Sequence, residues 1–290
     1  MRFASANFRA TRTTVTLHHL TLQKGKAAGT PIPSAPAPCS QGFQGDGGAL
    51  FRTPDANRAR IVFDRCSFDG NSAASGGGAL YLHHSDVTAS ASSFANNRAP
   101  SAGALQADDV TLDFTNVTFA GNAATHGTGG ALSIFGNGGT LTNVTFANNQ
   151  ALGGSGFFAA AIFGSTSFTV RNSLFWNDTS DDGGAPMQCQ TPSTGGGDLQ
   201  WPMTHLAGGA PDGPCVTGVS FADARLQPLG DNGGATPTMA LGAGSPAIGA
   251  GSGLSADRST GSRARWGALR RRRLRTVALR GEGGEGAGCY

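Results

Sequence analysis

The stretch Phe119-Ala120-Gly121-Asn122-Ala123-Ala124 is one copy of a motif, Phe-x-x-Asn-x-Ala, that sets the repeat of the chain. Three other full copies and one degenerate copy occur along the sequence. The copies begin at Phe68, Phe94, Phe119, Phe146 and Phe175, with spacings of 26, 25, 27 and 29 residues. A period of roughly 20–50 residues is typical of repeat proteins, whose units bury their apolar faces against one another.

A second motif, Gly-Ala-Leu or a close variant, lies between the copies of the first. Its alanines are Ala49, Ala79, Ala104, Ala131 and Ala161. Apolar residues also stand seven and five positions before most of the phenylalanines, with a mostly polar residue between them. This period-two alternation indicates a strand with one buried face. Each unit is therefore expected to hold at least two short strands, tight corners and no helix.

The residues that follow each phenylalanine predict a corner. Two positions after it only Gly and Asn occur, and these residues tolerate left-handed backbone angles. The next position predicts a ladder of stacked side chains that hydrogen-bond to the coils above and below. The ladder residues are Asn71, Asn97, Asn122, Asn149 and Asp178. A second candidate ladder, three positions before the phenylalanine, is Asn116, Asn143 and Asn172.

These features predict an all-β fold, a single-stranded parallel β-helix (β-solenoid) of about six coils, at roughly 4.8 Å per coil. The composition agrees, because 46 of the 290 residues are Gly and only 13% are charged, as in turn-rich chains. A leucine-rich repeat fits poorly because the leucine register is missing. A WD propeller also fits poorly, because the unit does not contain four strands.

The alternation of Gly-Gly-Ala-Leu, as at Gly47–Leu50, Gly77–Leu80 and Gly129–Leu132, with Phe-x-x-Asn resembles the repeats of the polymorphic outer-membrane proteins of bacteria. The resemblance covers roughly residues 47–178. It implies a right-handed parallel β-helix and, one step further, an adhesin role. Residues 180–251 contain the stretches Gly195–Pro202, Asp231–Thr238 and Gly244–Gly251. With these stretches the region resembles the C-terminal part of bacterial choice-of-anchor Q proteins, which are predicted to be secreted or surface-attached. That family usually ends with an Asp-x-Gly-Ala-type sequence, whereas this chain enters the arginine-rich stretch Arg263–Arg280.

The predicted organisation has three parts. Residues 1–179 form the parallel β-helix, with a loop insertion at 28–46, and residues 180–252 form an irregular, Gly/Pro-rich cap or anchor-like region. Residues 253–290 form a basic tail that is expected to be disordered or frame-shifted. The tail dominates the net charge of +3, since residues 1–257 contain 12 basic residues against 16 Asp.

Few residue patterns suggest chemistry. Asp108 and Asp109 with Asp113 are candidates for the paired carboxylates of a β-helix glycosidase, but they are more simply a turn before Val110. The pairs His18-His19 and His83-His84 are expected to point to opposite faces of a strand, so neither forms a metal chelate by itself. No catalytic residue, cofactor or metal is expected. Cys189 and Cys215 either form a disulfide or remain isolated thiols.

The expected function is a non-enzymatic, secreted or cell-surface β-helix, adhesin-like or structural, that binds a glycan or a surface protein through its polar faces. The alternative is a carbohydrate-active β-helix enzyme, either a polysaccharide lyase or a glycoside hydrolase. No nucleic-acid partner is expected, despite the run Arg270–Arg273. No transmembrane segment is predicted. No secretory signal is visible, so either the protein is cytoplasmic or its N-terminus is incomplete. An incomplete N-terminus is the expectation, because Val15-Thr16-Leu17 is already typical of a strand.

Overall fold

A computed structural model describes residues 14–28, 45–52, 57–152, 159–164, 168–180, 187–203, 213–251 and 275–278. Within these ranges the chain forms strands, turns and bends, and no helix. Most of the predicted loop insertion at 28–46 and most of the tail at 253–290, including Arg270–Arg273, lie outside the described residues. The prediction of an all-β parallel β-helix is confirmed.

Three parallel sheets run along the stack, and each of the first six coils contributes to all three. The strands of the first sheet are β1 (Thr14–His18), β4 (Leu50–Phe51), β5 (Ala59–Asp64), β8 (Leu80–Ser90), β11 (Leu105–Thr115), β14 (Leu132–Phe135), β15 (Gly138–Thr142), β18 (Ala159–Phe163), β19 (Phe168–Arg171), β22 (Met187–Cys189) and β23 (Thr194–Gly196). The strands of the second sheet are β2 (Leu20–Gln23), β6 (Ser67–Asp69), β9 (Ser93–Ala95), β12 (Thr118–Ala120), β16 (Thr145–Ala147), β20 (Leu174–Trp176), β24 (Leu199–Trp201), β25 (Ser220–Phe221) and β28 (Arg275–Ala278).

Each strand of the third sheet belongs to a different coil. Its strands are β3 (Lys26–Ala27), β7 (Ser72–Ala73), β10 (Arg98–Ala99), β13 (Ala123–Ala124), β17 (Gln150–Ala151) and β21 (Thr179–Ser180). Six strands mark the first six coils, so the chain makes five full turns between β3 and β21. Outside the three sheets, β26 (Leu226–Gly230) and β27 (Thr238–Leu241) form an antiparallel pair.

The repeated phenylalanines form one column inside the stack. Phe68, Phe94, Phe119, Phe146 and Phe175 pair in register from β6 to β20, and each ring is at most 1% exposed. Consecutive rings are parallel within 8° and their centroids lie 4.6 to 5.2 Å apart. Leu22 takes the place of the phenylalanine in the first coil, where it pairs with Phe68. The spacing of the Phe-x-x-Asn-x-Ala motif in the sequence thus sets the register of the second sheet.

The corner after each phenylalanine has the predicted left-handed turn, with φ between 52° and 64° at Gly70, Asn96, Gly121, Asn148 and Asn177. The following side chains make an uninterrupted series of hydrogen bonds along the stack. In each step the Oδ1 atom of one residue accepts from the backbone N–H and from the side-chain amide of the residue one coil earlier. The residues so joined are Asn71, Asn97, Asn122, Asn149 and Asp178, at donor–acceptor distances of 2.8 to 3.1 Å.

The corner before the Ala-Leu pair requires glycine for a steric reason. A Cβ atom added at Gly78 would lie 2.1 Å from the carbonyl oxygen of Gly103, and one at Gly103 would lie 2.1 Å from that of Gly130. Such a contact is impossible without moving the backbone, so the coils can approach here only without a side chain. The preceding position has a left-handed φ at Gly47, Gly77, Ala102 and Gly129, of 63°, 63°, 53° and 76° respectively.

The stack does not end at residue 179. β23 and β24 continue the parallel pairing, and Gln200 takes the place of the phenylalanine opposite Phe175. Asp198 is buried in this coil, and its burial raises the pKa of the carboxyl to about 6. Cys189 and Cys215 form a disulfide, which decides the alternative left open by the sequence. Further along the chain, residues 275–278 of the predicted tail form β28 beside β2.

We expect Asn122→Leu to destabilise the fold by more than about 3 kcal/mol, because each buried polar group left without a partner costs roughly 1–3 kcal/mol. The groups affected are the Asn97 N–H and the Phe94 carbonyl, which Asn122 now satisfies. Urea unfolding followed by circular dichroism measures the effect. Asn116→Gly, at an exposed left-handed corner, is the control and should change stability by less than about 0.5 kcal/mol. Unchanged stability of Asn122→Leu would contradict the structural role of the ladder.

Gly103→Ala should destabilise the protein by about 3 kcal/mol or more, the upper range for overpacking, because the clashing atoms belong to backbone. The matched control is Gly196→Ala, since a Cβ atom at Gly196 would meet no atom within 4 Å. We expect that control to be neutral or slightly stabilising. Equal unfolding midpoints for the two variants would show that the coils are not held at this close approach.

Candidate functional site

The first sheet carries a bend that exposes polar side chains. The long strands β8 and β11 change direction at His84 and Asp109, whose φ angles are 47° and 51°. In the next coil the same place is the break between β14 and β15, where Gly136 has a φ of 149°. Because the bends stack, side chains from successive coils converge along this line of bends, which forms an outer edge of the first sheet across its strands.

Five side chains at this edge form a connected group, which we call the corner network: Arg58, His84, Asp86, Asp109 and Asn137. Arg58 contacts Asp86 at 2.6 Å through Nε and Asp109 at 3.4 Å through Nη1. Asp109 also lies 2.5 Å from His84 Nδ1 and accepts a hydrogen bond from Asn137 Nδ2 at 3.0 Å. The hydrogen bond from His84 is the main reason that the pKa of Asp109 is lowered, and Asn137 and Arg58 add to it. The network spans four coils.

A second group, the Tyr81 cluster, comprises Asp46, Tyr81 and Asp108. Tyr81 pairs in register with Gln106, so Asp108 is its diagonal neighbour on the sheet. The Tyr81 hydroxyl donates to Asp108 Oδ2 at 2.5 Å, and the ring is almost fully buried. Burial raises the pKa of Tyr81, and the negative charges of Asp108 and Asp46 raise it further. Burial also raises the pKa of Asp46, which accepts a hydrogen bond from the Gly76 N–H at 2.7 Å.

The three aspartates considered as paired carboxylates are bound by different partners. Asp108 accepts from Tyr81, Asp109 contacts His84, and Asp113 accepts from Thr140 Oγ1 at 2.6 Å. The turn expected before Val110 is a left-handed bend inside the continuous strand β11. Sequence reasoning missed the partners Arg58, Tyr81 and Asn137. Tyr81 and Asn137 lie about one repeat from the aspartates that they contact, and Arg58 lies about two repeats from Asp109. These separations were a usable signal, because side chains whole periods apart lie near one another in a stacked fold.

The expectation that His18 and His19 diverge is wrong. β1 ends at His18, and His19 occupies the bend between β1 and β2 with a φ of 51°. Their ring centroids are 4.1 Å apart, and His18 Nδ1 lies 2.6 Å from Asp64 Oδ2 in the next coil. Alignment on Leu22 could have shown this, because it places His19 in the row of Asn116, Asn143 and Asn172, all of which have left-handed φ angles.

That row, considered as a second ladder, is exposed at Asn116 and buried at Asn172. Asn143 Nδ2 donates to Asn116 Oδ1 at 3.0 Å, in an exposed contact. Earlier coils carry Arg65 and Ala91 in the same row, also with left-handed φ angles of 53° and 45°. The backbone conformation of this corner is therefore constant, while its side chains change from coil to coil.

Comparison with known families finds a match over residues 43–175 to the model described as "Right handed beta helix region". The matched residues include the corner network and the Tyr81 cluster. The match agrees with the parallel stack seen here and gives the coil its hand. No curated protein and no solved structure matches the chain. The finer resemblances, to polymorphic outer-membrane and choice-of-anchor Q proteins, stay predictions. In the part of the chain that the structure describes, no helix could cross a membrane.

The Tyr81 cluster predicts an unusual alkaline titration. Because burial and two carboxylates favour the neutral phenol, Tyr81 should stay protonated where an exposed phenol ionises, near pH 10. Above that pH the unfolded chain releases a proton that the folded chain retains, so this group makes stability fall as pH rises. In a phenolate absorbance titration, Tyr81→Phe should leave the change below about pH 11 intact and remove a later one.

Asp108→Asn provides the control for this titration. It removes the nearer charge and leaves the ring buried, so the pKa of Tyr81 should fall towards its ordinary value. An absorbance change near pH 10 that disappears in Tyr81→Phe would contradict the geometry of the cluster.

Proposed function

We propose that this chain is a non-enzymatic, secreted or cell-surface β-helix protein that binds a glycan through the edge of its first sheet. The observation that carries the proposal is the corner network, in which charged and amide groups from four coils are held in fixed positions. Side chains held by rigid strands and by mutual hydrogen bonds are pre-organised, so little entropy is lost when they bind a ligand.

The chemistry of this edge suits a carbohydrate. Sugar hydroxyls both donate and accept hydrogen bonds, and Arg58, Asp109 and Asn137 offer donors and acceptors side by side. Phe135 pairs in register with Asp108 and is 47% exposed, and its ring contacts Phe163 edge-on at 5.9 Å. An aromatic surface beside polar groups can receive the apolar C–H face of a sugar ring.

The same contacts favour recognition over turnover. The carboxylates of Asp86 and Asp109 are engaged by a guanidinium group, and Asp109 is also engaged by His84 and Asn137. The partners of Asp109 lower the pKa of its carboxyl, which makes this carboxylate a weak base. The disulfide between Cys189 and Cys215 supports the secreted or surface location, because disulfides persist in oxidising compartments.

A binding screen on immobilised polysaccharides, followed by titration calorimetry with the ligand found, tests this proposal. Phe135→Ala and Asp109→Asn should each weaken binding by roughly tenfold or more, as truncation of a central contact does. The control is Ile248→Ala, an equally conspicuous exposed apolar residue in the C-terminal region. Affinities of the site variants within twofold of the unchanged protein, or an equal loss in Ile248→Ala, would overturn the placement of the site.

The second candidate function is a carbohydrate-active enzyme, and the Tyr81 cluster favours it. Glycoside hydrolysis uses two carboxyl groups, one of which is held protonated so that it can act as the acid. Asp46 is buried with a raised pKa, and the negative charge of Asp108 contributes to it. In this reading Asp46 is the acid and Asp108 is the base.

Release of new reducing ends or unsaturated sugars from a polysaccharide distinguishes the two functions. Turnover that disappears in Asp46→Asn and in Asp108→Asn would establish the enzyme and displace the non-enzymatic proposal. Turnover lost in Asp109→Ala would place the chemistry in the corner network instead. Binding without any product, with Phe135→Ala defective, is the result that we expect.

A further inference from the structure

We propose that His18, His19 and Asp64 bind a zinc ion at the outer corner of the first two coils. These residues belong to neither the corner network nor the Tyr81 cluster, so the proposal is independent of the proposed function. One nitrogen from each histidine and one carboxylate oxygen lie within 4.8 Å of one another. Two imidazoles and a carboxylate are a common ligand set for zinc, with a water molecule in the fourth position.

The backbone is what brings the two neighbouring histidines together. On an extended strand consecutive side chains point to opposite faces, which would separate them. His19 instead has a φ of 51° at the bend that follows β1, and the two rings come to 4.1 Å between centroids. His18 pairs in register with Asp64, so the next coil delivers the third ligand to the same place.

The distances are close to those that a metal needs. In a tetrahedral zinc site, with metal–nitrogen bonds of about 2.0–2.1 Å, the ligand atoms are roughly 3.3 Å apart. His18 Nδ1 and Asp64 Oδ2 are 2.6 Å apart in direct contact, and one ligand atom from each of the three residues lies within 4.8 Å of the others, so an ion between them needs shifts of roughly 1 Å. The side chain of His18 is 56% exposed, which leaves a path for the ion from solvent.

A neighbouring residue orients the carboxylate. Ser90 Oγ donates a hydrogen bond to Asp64 Oδ1 at 2.7 Å, while Oδ2 is the atom that faces His18. Hydrogen bonds of this kind fix the ligating groups of metal sites and affect affinity strongly. Ser90 pairs in register with Asp64, so a third successive coil contributes to the site.

The position between these groups attracts positive charge. Arg65 Nη1 lies 2.8 Å from His19 Nε2 and 3.9 Å from Asp64 Oδ2. A guanidinium group can only donate, so the His19 nitrogen meets it with its lone pair, which is the form that ligates a metal. The side chain of Arg65 is 35% exposed and can turn away into solvent. Arg65 therefore competes with the ion, and its removal should strengthen zinc binding.

Titration of the full chain with zinc sulfate, by calorimetry and by competition with a chromophoric chelator, tests the site. We expect one ion per chain, and an affinity reduced by roughly tenfold or more in His18→Ala, His19→Ala, Asp64→Asn and Ser90→Ala. Arg65→Gln should bind zinc several-fold more tightly, a gain that a damaged or unfolded variant would not show. His126→Ala, an exposed histidine at another corner, is the matched control and should bind as the unchanged protein does.

Three results would overturn the proposal. The first is no saturable binding by the unchanged protein. The second is binding that survives His18→Ala and Asp64→Asn, or that His126→Ala weakens as much as these do. The third is weaker binding in Arg65→Gln than in the unchanged protein. Circular dichroism of each variant, compared with the unchanged protein, separates loss of ligands from loss of fold.

Discussion

The hydrogen bond from one corner asparagine to the next is the constraint on which the rest of the stack depends. Each Oδ1 atom accepts from a backbone N–H and from a side-chain amide of the preceding coil, so one residue fixes both the separation and the register of two coils. The groups are fully buried, and a slip by one residue would leave them without partners at high cost. With the register fixed at this corner, the phenylalanine rings stack face to face on one side of it. At another corner, Gly78 and Gly103 have no side chain, which lets the carbonyl oxygen of the next coil approach each of them closely.

Much of this could be predicted from the sequence, because a residue repeated at one period must meet its own copies. The copies of the motif that contain Asn97 and Asn122 predict a corner, a left-handed turn and a ladder, and the structure has all three in both copies. The steric reason for Gly103 could not be predicted, since it depends on how closely two backbones approach. The coil after residue 179 was missed because Gln200 replaces the phenylalanine, and Asp198 replaces the small or apolar residue two places before it.

The candidate sites were harder to predict because they depend on departures from the repeat. The residue types of the corner network do not recur at the equivalent positions of the other coils. The period of the repeat alone therefore does not show whether Arg58 contacts Asp86 or Asp109. His19 was misjudged for a simpler reason. The rule that neighbouring side chains alternate applies within a strand, and His19 lies between two strands. Alignment of the first coil on Leu22, applied to every position, places His19 at a left-handed corner without knowledge of the structure.

Left-handed corners connect the stability of this fold to its candidate chemistry. A residue other than glycine in this conformation costs roughly 1–2 kcal/mol, and the cost is tolerated because hydrogen bonds to the coils on either side determine the backbone. At Asn148 and Asn177 the residue type is the one that minimises this cost. Arg65 and Ala91 adopt the same conformation although their side chains do not favour it. His19, His84 and Asp109 adopt it in the proposed zinc site and the corner network. The repeat sets the backbone of every corner in advance, so a side chain that does not stabilise the turn can occupy it and hold a defined position towards solvent.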